Sequence, residues 1–552
     1  MDWRKSAVGY QIYPRSFMDS NGDGIGDLQG IISKLDYIKD LGIDVIWICP
    51  MYESPNDDNG YDISNYQGIM KEFGTMEDFD ELLDAVHQRG MKLIIDLVIN
   101  HTSDEHPWFL EAKASKDSEK RDWYIWRQGK GDKEPNNWES IFHGSAWEYD
   151  EATDEYFLHL FSKRQPDLNW ENKAMRRALY EMINWWLDKG IDGFRVDAIS
   201  HIKKEPGLMD MPNPDGVEYV SSFEKHMNVE GIHEFLQELK ENTFAKYDIM
   251  TVGEANGVKA EDAVSWVGKE DGKFDMVFQF EHLELWDMDE DTKLNVPQLK
   301  SVLSNWQEAL DEDGWNALFI ENHDIIRVVS KWGDDTTYWS ESAKALAMMY
   351  FMQKGTPFIY QGQEIGMTNV KYADIDCYND VATHNRYQKH ISSGKSHEEA
   401  LRYEWKASRD NARTPMQWDS SEKGGFTTGS PWIGVNPNTK DINVESQLKD
   451  EHSILNFYKK LIQLRKNNET LILGKCELVL PEHEQFYAYT RTDENNQYLV
   501  ICNLSSEEVT FEKSFNLENQ EEILSNYNKA KEDLYLFRPY EARMYYMNES
   551  IG

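Results

Sequence analysis

Short runs of β-branched, aromatic and aliphatic residues recur along the chain, separated by stretches whose apolar positions repeat at helical spacing. Eight such runs stand out: VGYQIYP (8–14), VIWICP (45–50), KLIIDLVIN (92–100), IDGFRVDA (191–198), IMTVGEA (249–255), DMVFQF (275–280), ALFIEN (317–322) and PFIYQGQ (357–363). Between them lie amphipathic stretches such as LQGIISKLDYIKDLG (28–42), stopped by a glycine, and MEDFDELLDAVHQRG (76–90), with acids in its first turn. Strands alternating with helices predict parallel βα units, and eight of them predict an α/β fold closed as a (β/α)8 TIM barrel.

Two departures from the alternation predict additions. Residues 102–166 are rich in Trp, Asp and Gly and too long for an ordinary connection, so an inserted subdomain is expected after the third strand, with a strand pair near EYFLHLF (155–161). Beyond HSILNFYKKLIQLRKNN (452–468) the pattern changes to strands alternating with polar turns, which predicts a C-terminal antiparallel β-sandwich. The expected division is a barrel over 1–101 and 167–474, the insertion over 102–166 and the sandwich over 475–552.

Three carboxylates occupy the ends of predicted strands: Asp197 closes GFRVD, Glu254 closes TVGE and Asp324 closes ENHD. Strand C-termini of a barrel converge on one pocket, and two converging carboxylates are what glycoside hydrolysis requires. Acids also favour turns for local reasons. Here, however, Arg195 precedes Asp197 by two positions, on the same strand face, and His323 directly precedes Asp324. The nucleophile has to be ionised, which Arg195 would favour, and the proton donor has to be neutral, which burial beside other carboxylates would favour at Glu254. His101 stands at another strand end. Tyr61, Phe142 and Phe161 are candidate flat walls for a sugar ring.

Composition narrows the partners. The 552 residues carry 58 basic and 99 acidic side chains, a net charge of −41, which disfavours nucleic acid and anionic membranes. The four cysteines show no paired spacing, and no signal segment or spanning apolar stretch is evident, so a monomeric cytoplasmic protein acting on a small sugar is expected, with no membrane partner. In DSNGDGIGD, Asp19, Asn21, Asp23, Ile25 and Asp27 alternate with glycines. This is either a solvated Asp-Gly turn or a set of oxygen ligands for a hard cation.

The motifs DLVINH (96–101), QPDLN (165–169), GFRVDAIS (193–200), VGEANG (252–257), ENHD (321–324), GQEIG (362–366) and ASRDNARTPMQWD (407–419) together resemble the α-amylase-type glycoside hydrolases, in particular the oligo-1,6-glucosidase and α-glucosidase group. The resemblance implies Asp197 as nucleophile, Glu254 as general acid/base and Asp324 as transition-state stabiliser, with retention of configuration. It implies that His101, His323 and Arg195 hold the nonreducing-end glucose, that Asp58 and Tyr61 seal that subsite, and that Arg413 pairs with Asp58. It also implies a structural Ca²⁺, or Mg²⁺, in the 19–27 loop, and no organic cofactor. Members preferring α-1,6 bonds carry valine after the nucleophile and Met-Pro after the acid, whereas this chain has Ala198 and Ala255-Asn256. An exo-acting α-1,4-glucosidase for maltose and short malto-oligosaccharides is therefore expected. The alternatives are an oligo-1,6-glucosidase, a trehalose-6-phosphate hydrolase, a sucrose isomerase or a noncatalytic relative.

Overall fold

The computed structural model describes residues 1–285, 294–528 and 533–548. All eight predicted strands form: β1 Gly9–Ile12, β2 Val45–Ile48, β3 Lys92–Val98, β4 Gly193–Asp197, β5 Met250–Ala255, β6 Met276–Gln279, β7 Ala317–Leu318 and β8 Thr356–Tyr360. They make one parallel sheet in the order β6-β5-β4-β3-β2-β1-β8-β7. The two ends of that sheet meet through side chains, with Phe278 edge-on to Phe319 at 5.0 Å, so the sheet curls into a nearly closed TIM barrel.

Alternation along each strand divides two cores. Val45 and Trp47 of β2, Ile94 of β3, Met250 and Val252 of β5 and Phe278 of β6 fill the barrel interior. Ile46, Ile48, Leu93, Ile95, Phe194 and Val196 face the surrounding helices. Arg195 and Asp197 therefore share the inward face of β4, as their spacing predicted. Gly193 is needed at the start of that strand: its φ is 142°, and a Cβ there would sit 1.8 Å from the Met250 carbonyl oxygen of β5.

The helix over Met76–Gln88 is started by a capping box between Thr75 and Asp78. The stretch over 28–42 forms two helices, Leu28–Ser33 and Leu35–Leu41, the second stopped by Gly42 at φ 105°.

After β3, Trp126–Arg127, Trp147–Asp150 and Glu155–Leu158 form a three-stranded antiparallel sheet with its own apolar cluster around Trp138, Trp147 and Leu158. At the other end of the chain, β9 Lys475–Val479, β10 Phe486–Thr492, β11 Gln497–Asn503, β12 Glu521–Ser525 and β13 Ala542–Tyr546 form an antiparallel sheet in the order β9-β10-β11-β13-β12. Its faces again alternate. Tyr487, Tyr489, Val500 and Cys502 join the barrel's outer core, while Phe486, Leu499 and Ile501 pack with the short ribbon Val509–Thr510/Leu536–Phe537. The second layer of the expected sandwich is thus this ribbon rather than a full sheet. No helix among the described residues is long and apolar enough to cross a membrane.

Candidate active site

The C-terminal ends of the barrel strands open into a cavity of about 320 Å³. Its wall contains all three predicted catalytic acids, Asp197, Glu254 and Asp324, together with Asp58, Tyr61, His101, Phe142, Phe161, Ala198 and Asn256. These residues come from segments far apart in sequence, and only closure of the barrel brings them together. Arg195, His323 and Arg413 do not line the cavity. They are 1%, 0% and 0% exposed and lie one layer below, against the acids that do.

Arg195 organises the floor. One terminal nitrogen lies 2.5 Å from Asp197 Oδ1 and 2.7 Å from Asp96 Oδ1, and the other lies 2.9 Å from Glu254 Oε1. Three strands thus send three carboxylates to a single guanidinium, which also lies 5.1 Å from the Trp47 ring. Ala198 N–H donates to Glu254 Oε2 at 2.6 Å. This is possible because Ala198 adopts φ 44°, a left-handed backbone that is uncommon for a residue with a side chain and costly for a β-branched one.

Too many negative charges for one cation raise proton affinity. Burial, and then the Glu254 carboxyl beside it, push Asp197 well above the usual carboxylate range, with Arg195 opposing. Burial lifts Asp96 to about 6, also against Arg195. The upward push is therefore found at Asp197, the residue that Arg195 was expected to keep charged.

Asp324 behaves in the opposite way. Burial pushes it up, but His323 and the guanidinium groups of Arg409 and Arg413 together hold it well below the usual range. Gln11 Nε2 lies 2.7 Å from His323 Nδ1, and His323 Nε2 faces the Tyr61 hydroxyl at 2.5 Å and Asp324 Oδ2 at 3.1 Å. Burial depresses His323 to about 3 and His101 to about 4, so both are neutral at pH 7. Tyr61 stacks on His323 at 5.2 Å and donates to Asp96 at 3.0 Å. Its ring is thereby fixed as a wall. Phe142 and Phe161 stand edge to face at 5.6 Å, with Phe161 against His101 at 5.1 Å.

The partner of Asp58 is corrected. Arg409, not Arg413, pairs with it, at 2.8 Å, and also reaches Asp380 at 2.5 Å and Asp324 at 3.2 Å. Arg413 instead donates to the His323 carbonyl at 2.9 Å and to Asp324 Oδ1 at 2.8 Å. Both arginines belong to the run 407–419. Arg409 opens the short 3₁₀ helix Arg409–Ala412 and Arg413 follows its last residue, so the turn sends the two side chains to different acids.

The sequence reading also missed His201, which lines the cavity and whose Nδ1 is held 3.0 Å from that of His226, and Gln165, which donates to Asp58 at 3.1 Å. The position of His201, four residues after Asp197 in GFRVDAISH (193–201), was the available signal for the first, and the structure sets it in a one-turn helix straight after Ala198.

In the 19–27 loop, Asp19 accepts from the backbone N–H groups of Asn21, Gly22 and Gly24 and from the Thr427 hydroxyl, and Asp27 accepts from Ser20 and Gly30. Asn21 and Asp23 are exposed and accept from Asp23 and Ile25. Among the described residues, no group of three or more His, Cys, Asp or Glu is gathered as a metal cage.

The chain matches the family model described as "Alpha amylase, catalytic domain" over residues 11–474. It is 58% identical to the "Probable oligo-1,6-glucosidase 3" of Bacillus subtilis (strain 168), covering 98% of this chain and 99% of that one. It is 52% identical to the oligo-1,6-glucosidase of Parageobacillus thermoglucosidasius, covering 98% of each. Among solved structures, a mutant trehalose-6-phosphate hydrolase of Bacillus licheniformis superposes with a TM-score of 0.93 at 44% identity, over 99% of this chain and 100% of that one. The acids on the barrel's strand ends and these matches lead to one conclusion: the chain belongs to the α-amylase family, glycoside hydrolase family 13, and is a glycoside hydrolase of its α-glucosidase group.

Proposed function

We propose that the protein is an exo-acting, retaining α-glucosidase that releases glucose from the nonreducing end of maltose and short α-1,4-linked malto-oligosaccharides. The observation that carries the reaction is Asp197 and Glu254 bridged by the two terminal nitrogens of one guanidinium. Two carboxylates held on one guanidinium are close neighbours, which supports a double displacement, for which the carboxyls stand nearer than the wider gap of inversion. Asp197 attacks the anomeric carbon while Glu254 protonates the glycosidic oxygen. The bond to the leaving sugar breaks as the glycosyl–Asp197 ester forms. Glu254 then takes a proton from water, which attacks the anomeric carbon from the face the leaving sugar vacated, opposite Asp197, and releases the Asp197 carboxylate. Asp324, held ionised, lies where positive charge develops on the sugar. The Asp58–Arg409 pair walls off one side of the cavity, which supports attack at chain ends.

Linkage preference rests on Ala198, His201 and Asn256 on one cavity wall. Ala198 leaves space beside Glu254 for an acceptor ring hydroxyl. His201 and Asn256 offer hydrogen bonds to the second glucose. The names of the relatives favour a second reading, α-1,6 cleavage. A single pocket contact discriminates by about 1–3 kcal/mol, so the preference is expected to be clear without being absolute.

Trehalose 6-phosphate would call for a free cation in the cavity. Arg409, which lines it among the described residues, is shared by three acids, while Lys203 is paired with Glu171 and Lys204 with Asp167. This supports a neutral substrate. We further propose that the 19–27 loop takes a structural Ca²⁺ or Mg²⁺ through oxygens of Asp19, Asn21, Asp23, Asp27 and the Ile25 carbonyl. Gly22 and Gly24, at φ 85° and 92°, provide the wrap.

The test is kcat/KM on maltose, isomaltose and trehalose 6-phosphate in parallel. Maltose is expected to lead, and Asn256→Ala to narrow the maltose-to-isomaltose ratio. An isomaltose value equal to or above that for maltose would replace this reading by an oligo-1,6-glucosidase.

A further inference from the structure

A second cavity, of about 370 Å³, opens at the opposite end of the barrel, where β5 and β6 begin and the chain enters β7. Four lysines line it: Lys5, Lys240, Lys269 and Lys273. In a chain of net charge −41, such a gathering of cations is unexpected unless something holds them there. None of the four forms an ion pair with a carboxylate among the described residues. Lys240 donates to the Gly272 carbonyl at 2.6 Å, Lys273 to that of Asp271 and Lys269 to that of Glu312, and the Lys5 ammonium lies 4.9 Å from the Trp315 ring.

Carbonyl and ring partners orient an ammonium without neutralising it, and each ammonium keeps donors to spare. The two acids on the same wall, Asp2 and Asp275, are already engaged by Arg4, at 3.0 and 3.5 Å. Burial, helped by Lys240, lowers Lys273 below the usual lysine range against the pull of Asp271, so the nearby acid does not fully offset burial and the neighbouring cation.

We propose that this cavity is a binding site for a small phosphate-bearing anion, separate from the sugar site, with Lys240 and Lys273 as its principal ligands. A phosphate dianion supplies the missing counter-charge, and lysines bind it as point charges. Free inorganic phosphate and a phosphate monoester share this chemistry.

The experiment is isothermal titration of the whole protein with inorganic phosphate and with glucose 6-phosphate, at constant ionic strength with chloride as control. The probes are repeated on Lys240→Gln/Lys273→Gln and on the single variant Lys269→Gln. One saturable site is expected for at least one probe, with Kd raised about tenfold or more in the double variant, because two charge-assisted contacts are lost. Glucose release from p-nitrophenyl α-glucoside without phosphate should be unchanged, since none of these lysines touches the sugar cavity. Binding of both probes assigns free phosphate as sufficient, and binding of glucose 6-phosphate alone assigns the ester. Absence of saturable heat with either probe, or an unaltered Kd in the folded, active double variant, overturns the site.

Discussion

Replacing Arg409 by glutamine separates the roles of the two arginines. Arg409 serves three acids, but they do not depend on it equally. Asp324 would retain Arg413 at 2.8 Å and His323 at 3.1 Å, and Asp380 would retain the Thr383 hydroxyl at 2.8 Å. Asp58, 4% exposed, would retain the neutral Gln165 amide at 3.1 Å as its hydrogen-bond partner, with Arg413 acting on it only through space. Burial already raises Asp58, and Arg409 is the first force opposing it, ahead of Arg413, so removing the Arg409 guanidinium shifts the carboxyl further toward its neutral form. A neutral carboxyl accepts more weakly from a sugar hydroxyl. Loss of a charge-assisted hydrogen bond costs about 1.5–3 kcal/mol, or roughly ten- to 150-fold in kcat/KM. Breaking a buried pair adds a stability loss of about 3–5 kcal/mol, read as a lower Tm. The assay is kcat/KM on p-nitrophenyl α-glucoside across pH for Arg409→Gln and Arg413→Gln. Activity of Arg409→Gln should recover partly as pH rises, because deprotonation of Asp58 restores its charge. A loss below threefold in Arg409→Gln, or the same loss and pH recovery in Arg413→Gln, would refute the assignment of Arg409 to Asp58.

Asp197→Asn and Glu254→Gln are each expected to lower kcat by at least about 10³-fold with near-native Tm, since each removes a chemical role but little volume; activity above a few per cent in a pure sample would contradict the roles assigned. On the proposed assignment Asp197 works ionised, and its carboxyl is held high, so activity should fall as pH drops through a value above the ordinary aspartate range. Asp96→Asn removes one of the charges that raise Asp197, and should move this acid limb of kcat/KM to lower pH; an upward move would count against the shared-guanidinium picture. For the 19–27 loop, a chelator should lower the Tm of the wild type but not of Asp23→Ala, with KM unchanged in both. Equal melting of the wild type with and without chelator would remove the cation.

Side-chain periodicity made much of this protein legible in sequence. A two-residue repeat decides which side of a strand faces the barrel, so the eight strands, the inward pairing of Arg195 with Asp197 and the convergence of Asp197, Glu254 and Asp324 followed from local pattern and closure. Ion pairing was not legible in the same way. Arg409 and Asp58 are 351 positions apart, and the choice between Arg409 and Arg413 depended on one turn of 3₁₀ helix that no periodicity encodes. Proton affinities were likewise undecided, because they depend on how many carboxylates share one guanidinium, and β3, β4 and β5 each bring one to Arg195. The lysines at the barrel's other end are spread from position 5 to position 273, and look like ordinary surface charge until β5, β6 and β7 bring them around one cavity. Local pattern is set by bonded neighbours, whereas Coulomb interactions act between whatever the fold makes close, and only the tertiary structure decided those distances.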